Sequence, residues 1–486
     1  MSLIEDALAG NVPVPTYDRT ALTTGIVHFG LGNFHRAHQA MFIDRLMSEG
    51  KALDWAICGV GVMPADQKMR EALRAQNGLF TLVLKHPNGT REPRVIGSIR
   101  EYLYAPDDPE AVLAKLADPS IRIVELTITE GGFNIHRVTG DFDLTNPAII
   151  ADLQDDAVPA TVFGLVVEGL RRRRNAGVAP FTVMSCDNIQ GNGHVASQTF
   201  GAFAEAKDSA LATWIRDNVN FPNSMVDRIN PATTDADRSL VQDMLGIYDR
   251  WPVMAEPFVQ WVLEDTFTFG RPPHEDVGVQ VVDDVMPYEL MNLRLLNASH
   301  QALTYFGYLS GHRYAHEAAT DPLIVSLLTR YMDEEATPTL SPVPGIDLDA
   351  YKAELLVRFA NPEIRDTLAR LCQDSSDRIP KWLLPVVRWN LDHDGPINLA
   401  AAVVASWARY AEGVDEQGLP ITVVDNLAEE LVPLAQTYPS NHLSFLENEH
   451  VFGDLAAHTW FADSYVTMLE ALHARGAQVA LRDFLE

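Results

Sequence analysis

Residues 25–39 read GIVHFGLGNFHRAHQ, and the order of apolar run, glycines and helical period in them decides the fold. GIVHFGL (25–31) is short and apolar throughout, as a strand covered on both faces requires. NFHRAHQAMFIDRLMSE then carries its apolar residues at helical spacing. A strand that passes through Gly30 and Gly32 into a helix is the opening unit of a dinucleotide-binding sheet. The glycines allow a tight turn and a close backbone approach, and the helix N-terminus offers unpaired N–H groups to a pyrophosphate. His35 stands where the third glycine of G-x-G-x-x-G belongs, so the motif is incomplete and context must support it.

That context alternates. WAICGVGV (55–62) is a second buried run, and Asp66 is the first acid after it. An aspartate there can accept bonds from an adenosine ribose and would repel a 2′-phosphate, which favours NAD over NADP. Its spacing from the glycines exceeds the usual ~20 residues, and the competing reading is a helix cap. TLVLKH and REPRVIG flank Asn88-Gly89, a hairpin turn. EAVLAKLAD and TVFGLVVEGLRRRRNAG are helical, whereas IRIVELTIT (121–129) and FTVMSCDN (181–188) are strand-like. Such alternation predicts an α/β fold, a Rossmann-like and mainly parallel sheet. From about residue 288 every periodic segment is helical, and the break falls near DDVMPY (283–288). The expected organisation is a dinucleotide-binding domain over 1–285 and an all-α domain over 286–486.

The chain has 486 residues with a net charge of −29, which excludes a basic surface for nucleic acid or anionic lipid. RRRR (171–174) is the only basic run and reads as the solvated end of a helix. Three scattered cysteines build no disulfide framework and no Cys pair for a metal. The acidic, proline-bearing start lacks the pattern of a signal peptide, and no apolar run reaches membrane-span length, so a cytoplasmic protein is expected.

MNLRLLNASH (291–300) places Asn292, Asn297 and His300 within an arc of roughly 140° if the segment is an α-helix. Polar side chains among leucines either find backbone partners or line a polar site.

The segments GLGNFHRAH (30–38), TITEGGF (127–133), SCDNIQGNG (185–193), MVDRINP (225–231), EDTFTFGRPP (264–273) and RLLNASH (294–300) occur in one order. In this combination the chain resembles the mannitol dehydrogenase family of polyol-specific long-chain dehydrogenases. The resemblance implies interconversion of a sugar alcohol and its ketose with NAD, without a metal, by a monomer. It assigns Gly30, Gly32, Asn33, Phe34, Asp66, Thr129 and Glu130 to the cofactor. It assigns Asn188 and Asn297 to the reacting oxygen as amide donors, and His300 to substrate contact. Val226 and Asp227 match the segment lining the polyol pocket, and Arg370 and Arg378 match basic substrate contacts from the helical domain.

One position departs from the family. The resemblance puts a general-base lysine five residues before the asparagine of RLLN, and here that residue is Asn292. An amide accepts no proton at a useful pH, and losing an acid–base group costs ~10²–10⁴-fold in rate. Three readings follow: a disabled enzyme, a substitute base with His300 nearest, or a shifted substrate. Two wider alternatives are a hexuronate reductase, with Arg370, Arg378 and Lys381 clamping a carboxylate, and a non-catalytic cofactor- or sugar-binding relative.

Overall fold

The computed structural model describes residues 3–136 and 140–486. It divides into two compact units, Met1–Met286 and Pro287–Glu486.

The first unit holds β1 (Thr24–Phe29), β2 (Ala56–Gly61), β3 (Phe80–Lys85), β4 (Arg91–Ile96), β5 (Ile99–Tyr104) and β6 (Ile123–Leu126). It continues with β7 (Thr182–Ser185), β8 (Ser224–Asp227), β9 (Val253–Ala255), β10 (Gln260–Glu264) and β11 (Gln280–Val282). The central sheet has the order β5-β2-β1-β6-β7, and every pairing in it is parallel. β1, β2, β6 and β7 are buried along their whole length. Alternate residues leave the sheet on opposite sides. Val27, Phe29, Val124 and Val183 join one core with the helix Val162–Ala176. Ile26, Ile57, Ile123 and Met184 join another with Gln39–Ser48. The strand order reverses between β1 and β6, and a doubly wound sheet binds ligands beyond the strand ends at that point.

Several details differ from the sequence reading. The helix after Gly32 is broken at His38 (φ −121, ψ −93) into Asn33–Ala37 and Gln39–Ser48. IRIVELTIT is strand only as far as Leu126, because Thr129 turns to φ +64 and opens the short helix Thr129–Gly132. β3 and β4 form the expected hairpin, but β9 joins them, and β10 lies between β8 and β11 in a third sheet. The arginine run is not simply solvated. Arg171 and Arg172 pair with Glu168, and Arg172 also with Glu110, whereas Arg173 is fully buried. It donates to the carbonyls of Ala179, Leu116, Asp118 and Ile121.

The second unit is helical, and among its described residues the only β pairings are the isolated bridges Tyr314↔Thr367 and Val414↔Pro420. The segment Asn292–Asn297 is a π-helical turn between the α-helices Met286–Met291 and Ala298–Leu309, and Tyr331–Ala336 is a second. EIRDTLARLCQDS is helical at Leu368–Leu371, after Arg365 at φ +53, and again only where Ser375 opens the helix Ser375–Trp382. Among the described residues no helix is long and apolar enough to cross a membrane. The three cysteines are free and buried.

Candidate active site

The loop after β1 is shaped by two glycines with different duties. Gly30 has φ +83, and a Cβ there would lie 2.0 Å from the Thr127 carbonyl oxygen. Only glycine fits. At Gly32, which caps Asn33–Ala37, a Cβ would meet nothing nearer than the Gly30 oxygen at 3.8 Å. The loop is therefore pinned at Gly30 and open at Gly32, as a pyrophosphate against the backbone requires. Thr127 Oγ1 donates to the Gly30 carbonyl at 2.7 Å and ties the loop to the end of β6.

Asn33 turns its side chain inward: Nδ2 donates to Thr233 Oγ1 (2.9 Å) and the Pro231 carbonyl (3.2 Å), and Oδ1 accepts from Arg36 (2.7 Å). Its amide fastens the loop to residues 231–233, and what remains for a ligand is its backbone N–H in the first helical turn. Phe34 is half-buried and stacked on His38 at 5.0 Å. Asp66 Oδ2 accepts from Val62 and Met63 N–H, each at 2.9 Å, which makes it a cap at the end of β2.

His35 replaces the close packing of a third glycine with a polar one. It stacks on His28 with ring centroids 3.5 Å apart and faces Glu125 at 3.7 Å, while His28 Nδ1 bonds Glu125 at 3.1 Å. Burial pushes His35 down to about 3. Burial also raises the Glu125 carboxyl, but the bonds and fields of the two histidines outweigh it and leave it at about 2. These three side chains bring donor atoms within 4.8 Å of one another. The imidazole planes are inclined by only 28°.

Asn188 is exposed on the loop after β7. It does not cap the next helix, Asn192–Lys207, whose N-cap is Gly191 without a side-chain bond. Asn192 instead supports the loop: Nδ2 donates to the carbonyls of Asp187 (2.9 Å) and Ser224 (2.7 Å), and Oδ1 accepts from Ser224 N–H (2.9 Å). That places the Asn188 loop beside β8, where Val226 and Asp227 are buried at 5% and 6% exposure. Thr129 and Glu130 are exposed on the turn after β6, and Asp187 accepts from Thr129 N–H at 2.7 Å.

In the helical unit Asn292 and Asn297 are buried, at 2% and 6% exposure, and Asn297 Nδ2 donates to Asn292 Oδ1 at 2.9 Å. The π-turn corrects the α-helical arc, because i→i+5 bonding brings the fifth residue back over the first. His300 follows on the α-helix, its ring 4.3 Å from Phe359. Desolvation pushes it down to about 3, Asp366 opposes this, and Arg370, Arg358 and Arg378 add to it. His300 is thus neutral near pH 7 and a weak base. Arg370 is exposed and paired with Asp366 through Nε–Oδ1 at 2.6 Å and a second close contact. Arg378 donates to the Leu371 carbonyl at 3.0 Å.

Sequence reading missed Thr127, Asp187 and Asn192. The last two sit within the SCDNIQGNG motif that supplied Asn188, and their buried partners could not be read from spacing.

A parallel nucleotide-type sheet with a glycine loop at its reversal point, followed by a helical unit bearing paired asparagines, defines a two-domain dehydrogenase class. Residues 24–276 match the model of the mannitol dehydrogenase Rossmann domain, and residues 284–473 that of the mannitol dehydrogenase C-terminal domain. The chain belongs to the mannitol dehydrogenase family. A mannitol dehydrogenase of Saccharomyces cerevisiae is 45% identical over 98% of this chain and 95% of its own. The structure of Pseudomonas fluorescens mannitol 2-dehydrogenase in ternary complex with NAD and D-mannitol is 46% identical, with a TM-score of 0.88. That match covers 98% of this chain and 96% of the other. A D-sorbitol dehydrogenase structure in substrate-free form is 38% identical with a TM-score of 0.90, covering 97% of each chain.

Proposed function

We propose that this chain is an NAD-dependent oxidoreductase that interconverts a mannitol- or arabinitol-like sugar alcohol and its ketose, slowed by asparagine at the general-base position. The observation that carries the reading is the loop pinned at Gly30 and open at Gly32, tied by Thr127 to the strand end beside the Asn188 loop. Gly30, Gly32, Asn33, Phe34, Thr129 and Glu130 hold the cofactor. Asp66 keeps Oδ1 for a ribose hydroxyl while Oδ2 caps its turn. When bound, the nicotinamide accepts or returns the hydride.

Asn188 and Asn297 supply amide N–H groups to the reacting oxygen, where a preorganised donor is worth roughly 3–4 kcal/mol. Val226 and Asp227 shape the polyol pocket, and Asp227 accepts from substrate hydroxyls. His300, Arg370 and Arg378 contact the far substrate oxygens. His300 is a poor substitute base, because a conjugate acid near 3 gives little driving force at neutral pH. Asn292 cannot take the proton. The family relation and three free, buried cysteines support a monomer in the reducing cytoplasm.

The test is NADH formation from mannitol and arabinitol against pH, for this chain and for Asn292→Lys. The expected gain in kcat is ~10²–10⁴-fold. A fast parent enzyme whose rate is lost in His300→Ala would overturn the disabled-base reading. A second reading, hexuronate reduction, is favoured by the three guanidinium groups whose fields reach His300. The pairing of Arg370 with Asp366 weakens it as a carboxylate clamp. Equal or faster turnover of a hexuronate would make that the better assignment, and NADH binding without turnover of either substrate by either chain would make the protein a binding relative.

A further inference from the structure

Asp187 lies between two segments that the proposed reaction uses, the 128–129 turn and its own neighbour Asn188. Asp187 is buried, at 7% exposure. Oδ1 accepts from Thr129 N–H at 2.7 Å, and Oδ2 accepts from Ile128 N–H at 3.3 Å and Ser185 Oγ at 3.2 Å. Its carbonyl accepts from Asn192, which is bonded in turn to Ser224 of β8. Thr129 holds φ +64, a left-handed conformation that a β-branched residue adopts only when its surroundings over-determine it. Two N–H groups of that turn meet one carboxylate, which is the over-determination.

We propose that Asp187 is a positioning residue that clamps the turn bearing Thr129 and Glu130 against the strand end bearing Asn188, so that one carboxylate sets both cofactor grip and donor placement. The inference rests on the reading that Thr129 and Glu130 touch the dinucleotide and Asn188 the reacting oxygen. Burial pushes the Asp187 carboxyl up to about 6, against the pull of the Thr129, Ile128 and Ser185 bonds. Below that pH a protonated carboxyl loses acceptor strength, and the turn loosens. The titratable groups on the elements around it are Glu125, Glu130, Cys186, His194, Glu205, Lys207 and Asp227. Cys186 feels the fields of Glu125 and Asp187, and burial keeps its thiol protonated.

The experiment measures NADH dissociation constants by fluorescence from pH 5 to 8 for the parent, Asp187→Asn and Ser185→Ala. It adds kcat and KM for mannitol in the Asn292→Lys background. The parent is expected to bind NADH about 3–10-fold more weakly below pH 6. Asp187→Asn, an isostere fixed in the uncharged state, should show the weak value at every pH and a kcat lowered about tenfold, with little change in polyol KM. Ser185→Ala removes a bond to the ionised form and should move the midpoint upward.

Parent-like binding of Asp187→Asn at both ends of the range overturns the clamp. If that variant does not fold, a midpoint that stays in place in Ser185→Ala overturns it as well. A normal pH step with no polyol turnover in any variant leaves the clamp standing and removes the role of Asn188. Normal turnover with pH-independent NADH binding does the reverse, and failure of every variant to bind NADH removes both.

Discussion

Asn297 donates its amide N–H to Asn292 Oδ1 at 2.9 Å, across a π-helical turn. In an α-helix the two would stand roughly 140° apart. The wider turn makes them partners, and the partnership depends on what residue 292 is. As an amide, Asn292 presents an acceptor here and takes one of the two protons on Asn297 Nδ2. A lysine would present a donor, turn the Asn297 carbonyl toward itself and leave both N–H groups for the substrate oxygen.

Asn292→Leu is expected to leave the buried Asn297 amide without its acceptor and to lower stability by about 1–3 kcal/mol. Asn292→Lys, the faster enzyme, should also be less stable than the parent near neutral pH, because burial at a site 2% exposed drives the lysine to the neutral amine that serves as base, and giving up its proton on folding costs stability. Urea unfolding of the three proteins checks both. A lysine variant more stable than the parent would contradict the burial argument.

Asn188→Ala and Asn297→Ala, made in the Asn292→Lys background, should each lower kcat by about 10²–10³-fold with smaller changes in KM. A loss confined to KM would mean that these amides bind substrate without stabilising charge.

The two loop glycines should fail differently. Gly30→Ala forces a methyl to 2.0 Å from the Thr127 oxygen at φ +83, so both stability and NADH affinity should fall. Gly32→Ala has room, so its unfolding midpoint should match the parent while NADH affinity drops. Calorimetry with NADH titration separates the two, and equal loss of stability in both would be wrong for this loop.

Acid should unfold the first unit early. Burial pushes His35 and His38 down to about 3 and His274 down to about 4. An unfolded chain takes up these protons below about pH 6.5 whereas the folded one refuses them, so stability present above 6.5 is lost as pH falls toward 3–4. Glu125, at about 2, adds a loss beginning below 4.5. Asp187, raised to about 6, opposes this between about 4 and 6 as a single group. His274→Phe keeps a ring on Trp261, packed at 4.8 Å. It should flatten the slope of stability against pH by up to about 1.4 kcal/mol per pH unit. An unchanged slope in urea titrations from pH 7 to 4 would refute the assignment.

The buried strands β1, β2, β6 and β7 are legible because a sheet covered on both faces leaves an uninterrupted apolar run. The glycine loop is legible for the same local reason. Thr129 is not: β-branched residues run to the end of IRIVELTIT, and the bond that anchors the turn comes from Asp187, 58 residues away. Arg173 cannot be told from its three neighbours in the run, since its burial depends on carbonyls at 116–121 gathered by another helix. The inward side chain of Asn33 depends on Thr233, 200 positions on. Asn292 stands out in sequence by contrast with a family, but its bond to Asn297 needs a helical period that leucines on every side do not reveal.

The π-turn at Asn292–Asn297 stores its geometry in chain length. Deleting any one residue of 293–296 would let the hydrogen-bond ladder close into ordinary α form with the following helix Ala298–Leu309 left in place. Asn292 and Asn297 would then stand at i and i+4, about 40° apart on one face, so the shortened helix would still set them side by side. Exchanging one leucine for another apolar residue leaves the count, and therefore the pairing, intact. The turn thus absorbs one residue more than an α-helix would need and still returns both asparagines to one face, so an amide pair separated by five positions is held as neighbours are in ordinary helix.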